Sequence, residues 1–206
     1  MKKNISLVIF DLGNVVFKID TMRTFNYWSK LTDKDPLFLK EIFFNDGTYV
    51  SYELGEISEE RFRKHFSKKI NFNISRADFV DGFNSMIAGL TPGIETVLEQ
   101  VKGKRFLSTL SNTNKTHEIF LFHNYPKILT YFDRLFFSHR IKSRKPDIEA
   151  FKTVLEYFRV EPDNCLFFDD QKENIDAANK LGINSFLVNS PSVEELKKIL
   201  DEYGII

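Results

Sequence analysis

The apolar positions of this chain follow two patterns. One is typical of buried strands that alternate with helices, and the other is purely helical. Residues 5–10 form a short and mostly apolar run, as a strand buried on both faces of a parallel sheet would. Similar runs recur after residue 91, separated by stretches of helical periodicity. The further strands predicted there are residues 105–110, 134–138, 165–168 and 185–188. Repeated strand-then-helix units predict an α/β fold, an open parallel, Rossmann-like sheet with helices on both faces.

The helices predicted between these strands have recognisable starts and ends. They cover residues 91–103, a stretch from about 114, 147–158 and 173–181, followed by a C-terminal helix that a capping box at Ser192–Glu195 opens. Pro146 is expected at the first position of the third of these helices. There it would hold the preceding Lys145 on a fixed backbone.

Between about residues 20 and 91 the apolar residues recur at helical spacing, and we find no alternating pattern that would predict a strand. Three helix starts with capping side chains are visible in this stretch, at Asp35–Pro36, Ser58 and Ser75–Asp78. We therefore predict a compact helical cap domain, residues 18–90, inserted after the first strand. The α/β core domain would then comprise residues 1–17 and 91–206.

Charge and cysteine content exclude several classes of partner. The 206 residues include 29 lysines and arginines and 29 aspartates and glutamates, so no overall field attracts nucleic acid or a membrane surface. Cys165 is the only cysteine, which rules out an intrachain disulfide and gives no sign of an oxidising compartment. No apolar stretch is long enough to span a bilayer. We expect a cytoplasmic, monomeric protein whose partner is a small molecule.

The side chains suited to chemistry stand where the predicted strands end. Asp11 follows the first strand, with Gly13 two residues later, and open α/β sheets bind ligands outside the carboxyl ends of their strands. Ser111 and Asn112 follow the second strand and open a helix, which either binds an anion or is simply capped. Lys145 precedes a later helix, and it is either a point charge for an anion or a solvated surface residue.

Asp169 and Asp170 end an almost purely apolar strand. Burying two adjacent carboxylates without a compensating cation is expensive. A hard divalent cation such as Mg²⁺, held by one or two carboxylates and by the phosphate oxygens of a substrate, would remove that cost.

Taken in order, these four segments resemble the haloacid dehalogenase-like hydrolase superfamily. They read FDLGNVV, LSNTN, RKPD and FFDDQKENIDAANKLGI, and the predicted helical insertion lies where the small helical cap of that superfamily is placed. The first and second of them, together with YWSKLT and GEIS in the cap, look like the bacterial alpha-D-glucose-1-phosphate phosphatases.

The resemblance implies roles for the residues at the first and fourth motifs. Asp11 would be the nucleophile that attacks phosphorus and carries a transient aspartyl phosphate. Magnesium would be held by the Asp11 carboxylate, the Gly13 main-chain carbonyl and Asp170. Asn174 stands at the family's spacing from Asp170, so Asp169 would not touch the metal and would instead pair with Lys145.

The second and third motifs are implied to bind the phosphoryl group. Ser111 and the Asn112 N–H would bind its oxygens, and Lys145 would neutralise charge on Asp11 and on the phosphate. Two anions can react only if cations lie between them, and Lys145 and magnesium would be those cations.

Gly13 departs from the superfamily pattern, in which most phosphatases have a second Asp there as general acid and base. General acid–base catalysis is worth roughly 10²–10⁴ in rate. Three explanations remain open. Asp20 or a cap residue such as His65 supplies the proton, or the leaving group is acidic, as an anomeric sugar hydroxyl is, or the protein turns over poorly and mainly binds.

The resulting hypothesis is a magnesium-dependent phosphatase that acts on a small phosphorylated metabolite, a sugar phosphate such as glucose 1-phosphate. One alternative is a 2-haloacid dehalogenase, which would also use Asp11 but attack carbon without a metal. The other is a non-catalytic protein that binds a phospholigand or a partner. His117, His123 and His139 show no metal-ligand spacing and are expected at the surface, and Trp28, Phe44 and Tyr49 are expected mainly to pack within the cap.

Overall fold

A computed structural model of the chain describes residues 4–45, 47–189 and 193–206. Its strands, in chain order, are Leu7–Phe10 (β1), Phe17–Ile19 (β2), Ile87–Leu90 (β3), Phe106–Ser111 (β4), Arg134–Phe137 (β5), Cys165–Asp169 (β6) and Asn184–Leu187 (β7). Five of them form a parallel sheet in the order β5-β4-β1-β6-β7. The predicted Rossmann-like α/β fold is confirmed.

The helices lie between the strands and in one long insertion. Those of the insertion, between β2 and β3, are Thr21–Thr32 (α1), Pro36–Phe44 (α2), Thr48–Glu53 (α3), Glu59–Lys69 (α4) and Arg76–Asn84 (α5). Those that follow are Ile94–Val101 (α6), Lys115–Asn124 (α7), Pro126–Leu129 (α8), Ser138–Ile141 (α9), Ile148–Phe158 (α10), Lys172–Lys180 (α11) and Val193–Glu202 (α12). Among the residues that the structure describes, no helix combines the length and the apolar character that crossing a membrane requires.

Hydrophobic burial on both faces explains why the central strand is almost purely apolar. All residues of β1 are buried. Val8 and Phe10 join one large apolar cluster, and Leu7 and Ile9 join a second cluster on the opposite face of the sheet. Successive side chains of a strand point to opposite faces, so a continuous apolar run is required where both faces are covered.

The expectation of no strand between residues 20 and 91 was wrong. β2 and β3 form an antiparallel pair where the chain leaves and re-enters the core, with Phe17 opposite Leu90. Strands of three and four residues are too short to show a period-two pattern. Their pairing also depends on residues about seventy positions away in the sequence, which no local pattern can indicate.

The helices between β2 and β3 surround a cluster of aromatic rings. Trp28 is fully buried at its centre, with its ring centroid 5.1–5.3 Å from those of Phe43, Phe66 and Phe79. Gly82 permits this packing, because a Cβ there would lie 2.2 Å from the Trp28 Nε1. The division into a cap at residues 18–90 and a core stays a prediction, since one apolar cluster spans both.

Most of the predicted helix starts are found, with two exceptions. The predicted capping side chains accept hydrogen bonds from first-turn N–H groups in α2, α4 and α5, where the caps are Asp35, Ser58 and Ser75. Pro146 is not at a first helical position, because α10 begins only at Ile148. Helix α6 begins at Ile94 rather than at residue 91, and the capping residue proposed for α12, Ser192, lies outside the described residues.

Candidate active site

The register of the sheet brings the ends of three strands together. Phe10 pairs with Thr109 on one side and with Phe168 on the other, and the Asp11 N–H donates to the Phe168 carbonyl at 2.9 Å. Asp11, Ser111 and Asp169 therefore stand at the same carboxyl edge of the sheet, where an open α/β sheet binds its ligand.

Lys145 lies buried between two carboxylates. Its Nζ is 3.0 Å from Asp11 Oδ1 and 2.5 Å from Asp169 Oδ2, and its side chain is 1% exposed. A lysine this buried requires ion-pair partners. The sequence left open whether Lys145 is a solvated surface residue, and the structure excludes that reading.

The two acids of the fourth motif have different surroundings. Asp169 is fully buried, and its Oδ1 accepts from the Gln171 N–H at 2.8 Å and from Asn174 Nδ2 at 2.9 Å, while its Oδ2 meets Lys145. Asp170 is half-buried, and among the described residues only its Oδ2 accepts hydrogen bonds, from Asn14 Nδ2 at 2.8 Å and Gln171 Nε2 at 2.9 Å. Asp169 therefore has both oxygens occupied, whereas Asp170 keeps coordinating capacity.

The electrostatics of this cluster are unbalanced. Burial raises the pKa of Asp11 to about 7, against the lowering effect of Lys145 and with a further increase from Asp169 and Asp170. Burial lowers the pKa of Lys145, but the carboxylates of Asp11 and Asp169 outweigh it, so the pKa lies above its ordinary value. One ammonium thus faces three carboxylates. If all three carboxyl groups were ionised, their negative charge would exceed the positive charge of Lys145.

The donor set fits a divalent cation. One oxygen from each of Asp11, Asp169 and Asp170 lies within 4.8 Å of the others. Carboxylate oxygens are ligands that Mg²⁺ uses in proteins, with substrate phosphate oxygens completing its shell. A cation there would also supply the charge that Asp11 needs in order to ionise.

Asn112 organises the loop that carries Lys145, a role that the sequence did not reveal. Its side-chain Nδ2 donates to the Lys145 carbonyl at 2.8 Å, and its Oδ1 accepts from the Lys145 N–H at 2.9 Å. This reciprocal pair joins the end of β4 to the segment before α10. Ser111, the last residue of β4, is buried beside it.

Asn14 is a second site residue that sequence analysis missed. It adopts left-handed backbone angles with φ 54°, which asparagine tolerates better than most residues. Its Nδ2 donates to Asp170 and its Oδ1 accepts from the Ile19 N–H at 3.0 Å, so it ties Asp170 to the start of the insertion. The Gly13-Asn14 pair after the first strand was the available signal, because such pairs favour turns.

Two of the histidines are not at the surface, contrary to expectation. His117 is buried, with its ring centroid 4.1 Å from that of Phe83, and burial lowers its pKa to about 4. His139 is also buried and pairs through Nε2 with Glu118 at 2.8 Å, a carboxylate that Arg140 contacts as well. The sequence indicated neither contact, because each partner lies far along the chain or in another element.

A cavity of about 540 Å³ opens above this cluster, between the sheet edge and the helical insertion. Its lower end is lined by Gly13, Ser111, Asn112 and Gln171. Neither of the proton donors proposed from the sequence lines it. Asp20 is exposed and caps α1 by accepting from the Met22 N–H, and His65 lies on α4.

Comparisons with known proteins agree with this architecture. A model of the family described as haloacid dehalogenase-like hydrolase matches residues 19–188. The crystal structure of the HAD family enzyme bt-2542 from Bacteroides thetaiotaomicron is 25% identical, covers 95% of this chain and 99% of its own, and superimposes with a TM-score of 0.86. A second structure of that enzyme, in complex with magnesium and inorganic phosphate, is 27% identical over 89% of this chain and 93% of its own, with a TM-score of 0.81.

Two curated relatives are phosphatases. The D-ribitol-5-phosphate phosphatase of B. thetaiotaomicron is 25% identical over 87% of this chain and 89% of its own length. The phosphorylated carbohydrates phosphatase of Thermotoga maritima is 31% identical over 53% of this chain, which spans about half (51%) of that relative. The family match covers most of the chain, from the end of β2 to β7, and includes Asp169 and Asp170 of the acidic cluster, while Asp11 precedes the matched residues. This chain therefore belongs to the haloacid dehalogenase-like hydrolases.

Proposed function

We propose that this protein is a magnesium-dependent phosphatase that hydrolyses a small phosphorylated metabolite through Asp11. The observation that carries the proposal is the position of Asp11, which stands beside the Lys145 ammonium and near the Asp170 carboxylate, next to Gly13 at one end of the cavity. A carboxylate nucleophile can approach an anionic phosphate only if cations offset the repulsion.

The reaction needs two displacements at phosphorus. An oxygen of Asp11 attacks phosphorus, the bond to the ester oxygen breaks, and the alcohol leaves as its oxygen gains a proton. Water then attacks the aspartyl phosphate, releasing inorganic phosphate and the free Asp11 carboxylate. Lys145 neutralises Asp11 and the phosphoryl oxygens, while Ser111 and the Asn112 N–H donate hydrogen bonds to those oxygens.

Mg²⁺ would be held by the Asp11 carboxylate, the Gly13 carbonyl and Asp170, where it would supply positive charge next to the phosphoryl group. Asp169 fits a supporting role, because its oxygens are already engaged with Lys145, Gln171 and Asn174. The magnesium and inorganic phosphate in the complex of the related B. thetaiotaomicron enzyme support magnesium as the cation.

The alternatives are less well supported. A dehalogenase that attacks carbon has no use for the acidic cluster around Asp11, and a protein that only binds would not require a buried lysine beside a nucleophile. A sugar phosphate such as glucose 1-phosphate remains the substrate that the sequence resemblance implies, and the names of the two curated phosphatases keep carbohydrate phosphates as candidates. The expectation of a monomeric, cytoplasmic protein also stays a prediction.

Phosphate release from 4-nitrophenyl phosphate tests the proposal. We expect turnover with added magnesium, loss of turnover in EDTA and recovery when magnesium is restored. Asp11→Asn should reduce turnover to near background while the protein stays folded, because Lys145 keeps its pair with Asp169. Asp35→Asn is the matched control, since Asp35 is an exposed helix cap that Asn replaces well. Substantial activity in Asp11→Asn, or activity in EDTA, would contradict the mechanism.

A further inference from the structure

The upper part of the active-site cavity is walled mainly by apolar side chains. They come from both strands of the small ribbon, from the segment entering β3, from α2 and from α7, and they are Phe17, Ile19, Ile87, Met86, Phe44 and Leu121. This wall is continuous with the end of the cavity formed by Gly13, Ser111 and Asn112. The organic group of a bound phosphate ester must therefore lie against it.

Most polar side chains in the wall already have partners within the protein. Both ring nitrogens of His117 are engaged, Nδ1 with Asn114 Nδ2 and Nε2 with the Phe83 carbonyl, each at 3.3 Å. The low pKa of His117, near 4, reflects this burial and leaves the ring uncharged. His117 thus presents ring surface rather than a free donor or acceptor.

Arg144 and Tyr49 both contact the carboxylate of Glu53. Arg144 Nη2 lies 3.0 Å from Glu53 Oε2, and the Tyr49 hydroxyl hydrogen-bonds to the Glu53 side chain. Arg144 is the one charged side chain among the described residues that line the cavity, and this buried glutamate neutralises it. Thr21 and Thr113 are the remaining polar side chains among the described residues that line the cavity outside its polar end.

This distribution opposes a polyhydroxylated substrate. Each sugar hydroxyl is hydrogen-bonded to water before binding, and it loses those bonds against an apolar wall. A hydrocarbon group loses nothing polar and gains contact with aromatic and branched side chains. The cavity thus favours binding of an apolar group. A sugar site would instead offer unpaired hydrogen-bond donors and acceptors to the sugar hydroxyls.

We propose that the phosphate ester hydrolysed at Asp11 carries a compact apolar organic group, a ring or branched hydrocarbon, in place of a sugar. The proposal rests on the phosphatase function proposed above and names its substrate class. Phosphate would bind at the polar end of the cavity, and the apolar group would lie between the β2–β3 ribbon and Phe44.

The test compares cyclohexylmethyl phosphate with glucose 6-phosphate in the presence of magnesium. Both substrates join a six-membered ring to phosphate through a CH₂–O link, so they differ mainly in the ring hydroxyls and the ring oxygen. We expect kcat/KM to favour cyclohexylmethyl phosphate by at least about tenfold, the size of effect that one mismatched group produces in an apolar pocket. The electron-withdrawing sugar ring is the slightly better leaving group, so any bias runs against this expectation.

A substitution in the apolar wall tests whether the cavity causes the preference for cyclohexylmethyl phosphate. Ile87→Thr replaces the ethyl branch of the side chain by a hydroxyl and should reduce the ratio by about tenfold, the worth of two buried carbon groups. Ile42→Thr makes the same change at a half-buried position of α2 that does not line this cavity, and it should leave the ratio unchanged. If the melting temperature shows that Ile87→Thr is poorly folded, Ile19→Thr, at a half-buried position of the wall, replaces it.

Equal kcat/KM for the two esters, or a preference for glucose 6-phosphate, would overturn the inference while leaving the phosphatase function intact. The absence of hydrolysis of both esters and of 4-nitrophenyl phosphate would instead remove the proposed function and this inference with it. An unchanged ratio in both wall variants would also count against the cavity as the origin of the preference.

Discussion

The two adjacent acids at the sheet edge, Asp169 and Asp170, make different contacts. Asp169 is committed to Lys145, Gln171 and Asn174, and Asp170 faces Asn14 with one oxygen left over. Adjacent residues on a strand end point in opposite directions. Asp169 is therefore directed into the protein, and Asp170 lies half-buried beside Asn14 and Gln171.

Neutralising each acid in turn should separate these two roles. Asp170→Asn should weaken magnesium binding more than Asp169→Asn, although losses of about 10–100-fold are common for residues that only support a ligand. Asp169→Asn should instead lower the free energy of unfolding the more, by up to about 3–5 kcal/mol, because it removes a partner from a buried ion pair. Calorimetric titration with magnesium and urea unfolding measure the two effects. If Asp169→Asn weakened magnesium binding more than Asp170→Asn, the assignment of Asp170 as the metal ligand would be wrong.

Because residue 13 is a glycine, it offers no side-chain acid to protonate the leaving group. The structure leaves room for a larger side chain at this position. The residue does not have positive φ, and an added Cβ would lie 3.5 Å from Ile19 Cγ1 and 3.9 Å from Asp11 Oδ2, which is ordinary contact. We expect the wild-type kcat to fall steeply from 4-nitrophenyl phosphate to phenyl and then alkyl phosphates. Gly13→Asp should flatten that dependence, raising alkyl phosphate turnover by up to about 10²-fold.

Gly13→Asn is the matched control, because it has the same shape and no proton to give. Its leaving-group dependence should remain as steep as that of the wild type. Equal wild-type turnover of aryl and alkyl phosphates would contradict the idea that position 13 lacks a needed acid. In that case Asp20→Asn would test whether the exposed cap of α1 is the donor.

At the scale of elements, helix α7 joins the insertion to the sheet edge. Its cap Asn114 accepts from the His117 N–H at 3.1 Å, and the His117 ring packs on Phe83 of α5. Thr116 on the same helix hydrogen-bonds to the Tyr52 hydroxyl of α3 at 2.5 Å. The helix that begins at the polar end of the cavity is thus also a contact surface for the helices of the insertion.

The burial of His117 makes stability depend on pH. Its pKa is about 4 in the folded protein and 6.5 ordinarily, so its contribution is intact above pH 6.5 and is lost as pH falls toward 4. The loss amounts to about 3 kcal/mol from this residue. Urea unfolding between pH 7 and 4 should show a shallower decline for His117→Gln than for the wild type. His123→Gln, at an exposed position on the same helix, should decline as the wild type does; parallel curves for all three proteins would refute the assignment.

At the scale of the whole molecule, the helical insertion and the sheet share one apolar cluster. Val8 and Phe10 of β1 belong to the same cluster as Trp28 and Phe43 of the insertion. Ion pairs and hydrogen bonds add further links, such as the Ser138 hydroxyl donating to the Glu53 carbonyl at 2.7 Å. A continuous core couples the unfolding of the parts that it joins.

We therefore expect one cooperative unfolding transition. Trp28 is the only tryptophan and is fully buried in the insertion, so its fluorescence reports that part, while far-UV circular dichroism reports the whole chain. The urea midpoints from the two signals should coincide. An earlier fluorescence transition would show that residues 18–90 unfold as a separate domain.

Local sequence alone determined the fold class and the order of the chemical groups. A strand buried on both faces must be continuously apolar, and a helix start needs a capping side chain, so both leave a readable trace in a few consecutive residues. Asp11, Ser111 and Asp169–Asp170 could be assigned to strand ends for the same reason. The departure at Gly13 was equally visible, because it concerns a single position in a motif.

Tertiary structure decided what depends on partners far apart in the chain. Asn14 and Asp170 are 156 positions apart, and neither their contact nor the pairing of β2 with β3 leaves a local pattern. The burial of His117 and Lys145, and the apolar wall of the cavity, arise in the same way. Burial and pairing are properties of the space that several elements enclose together, so they exist only once the chain has folded.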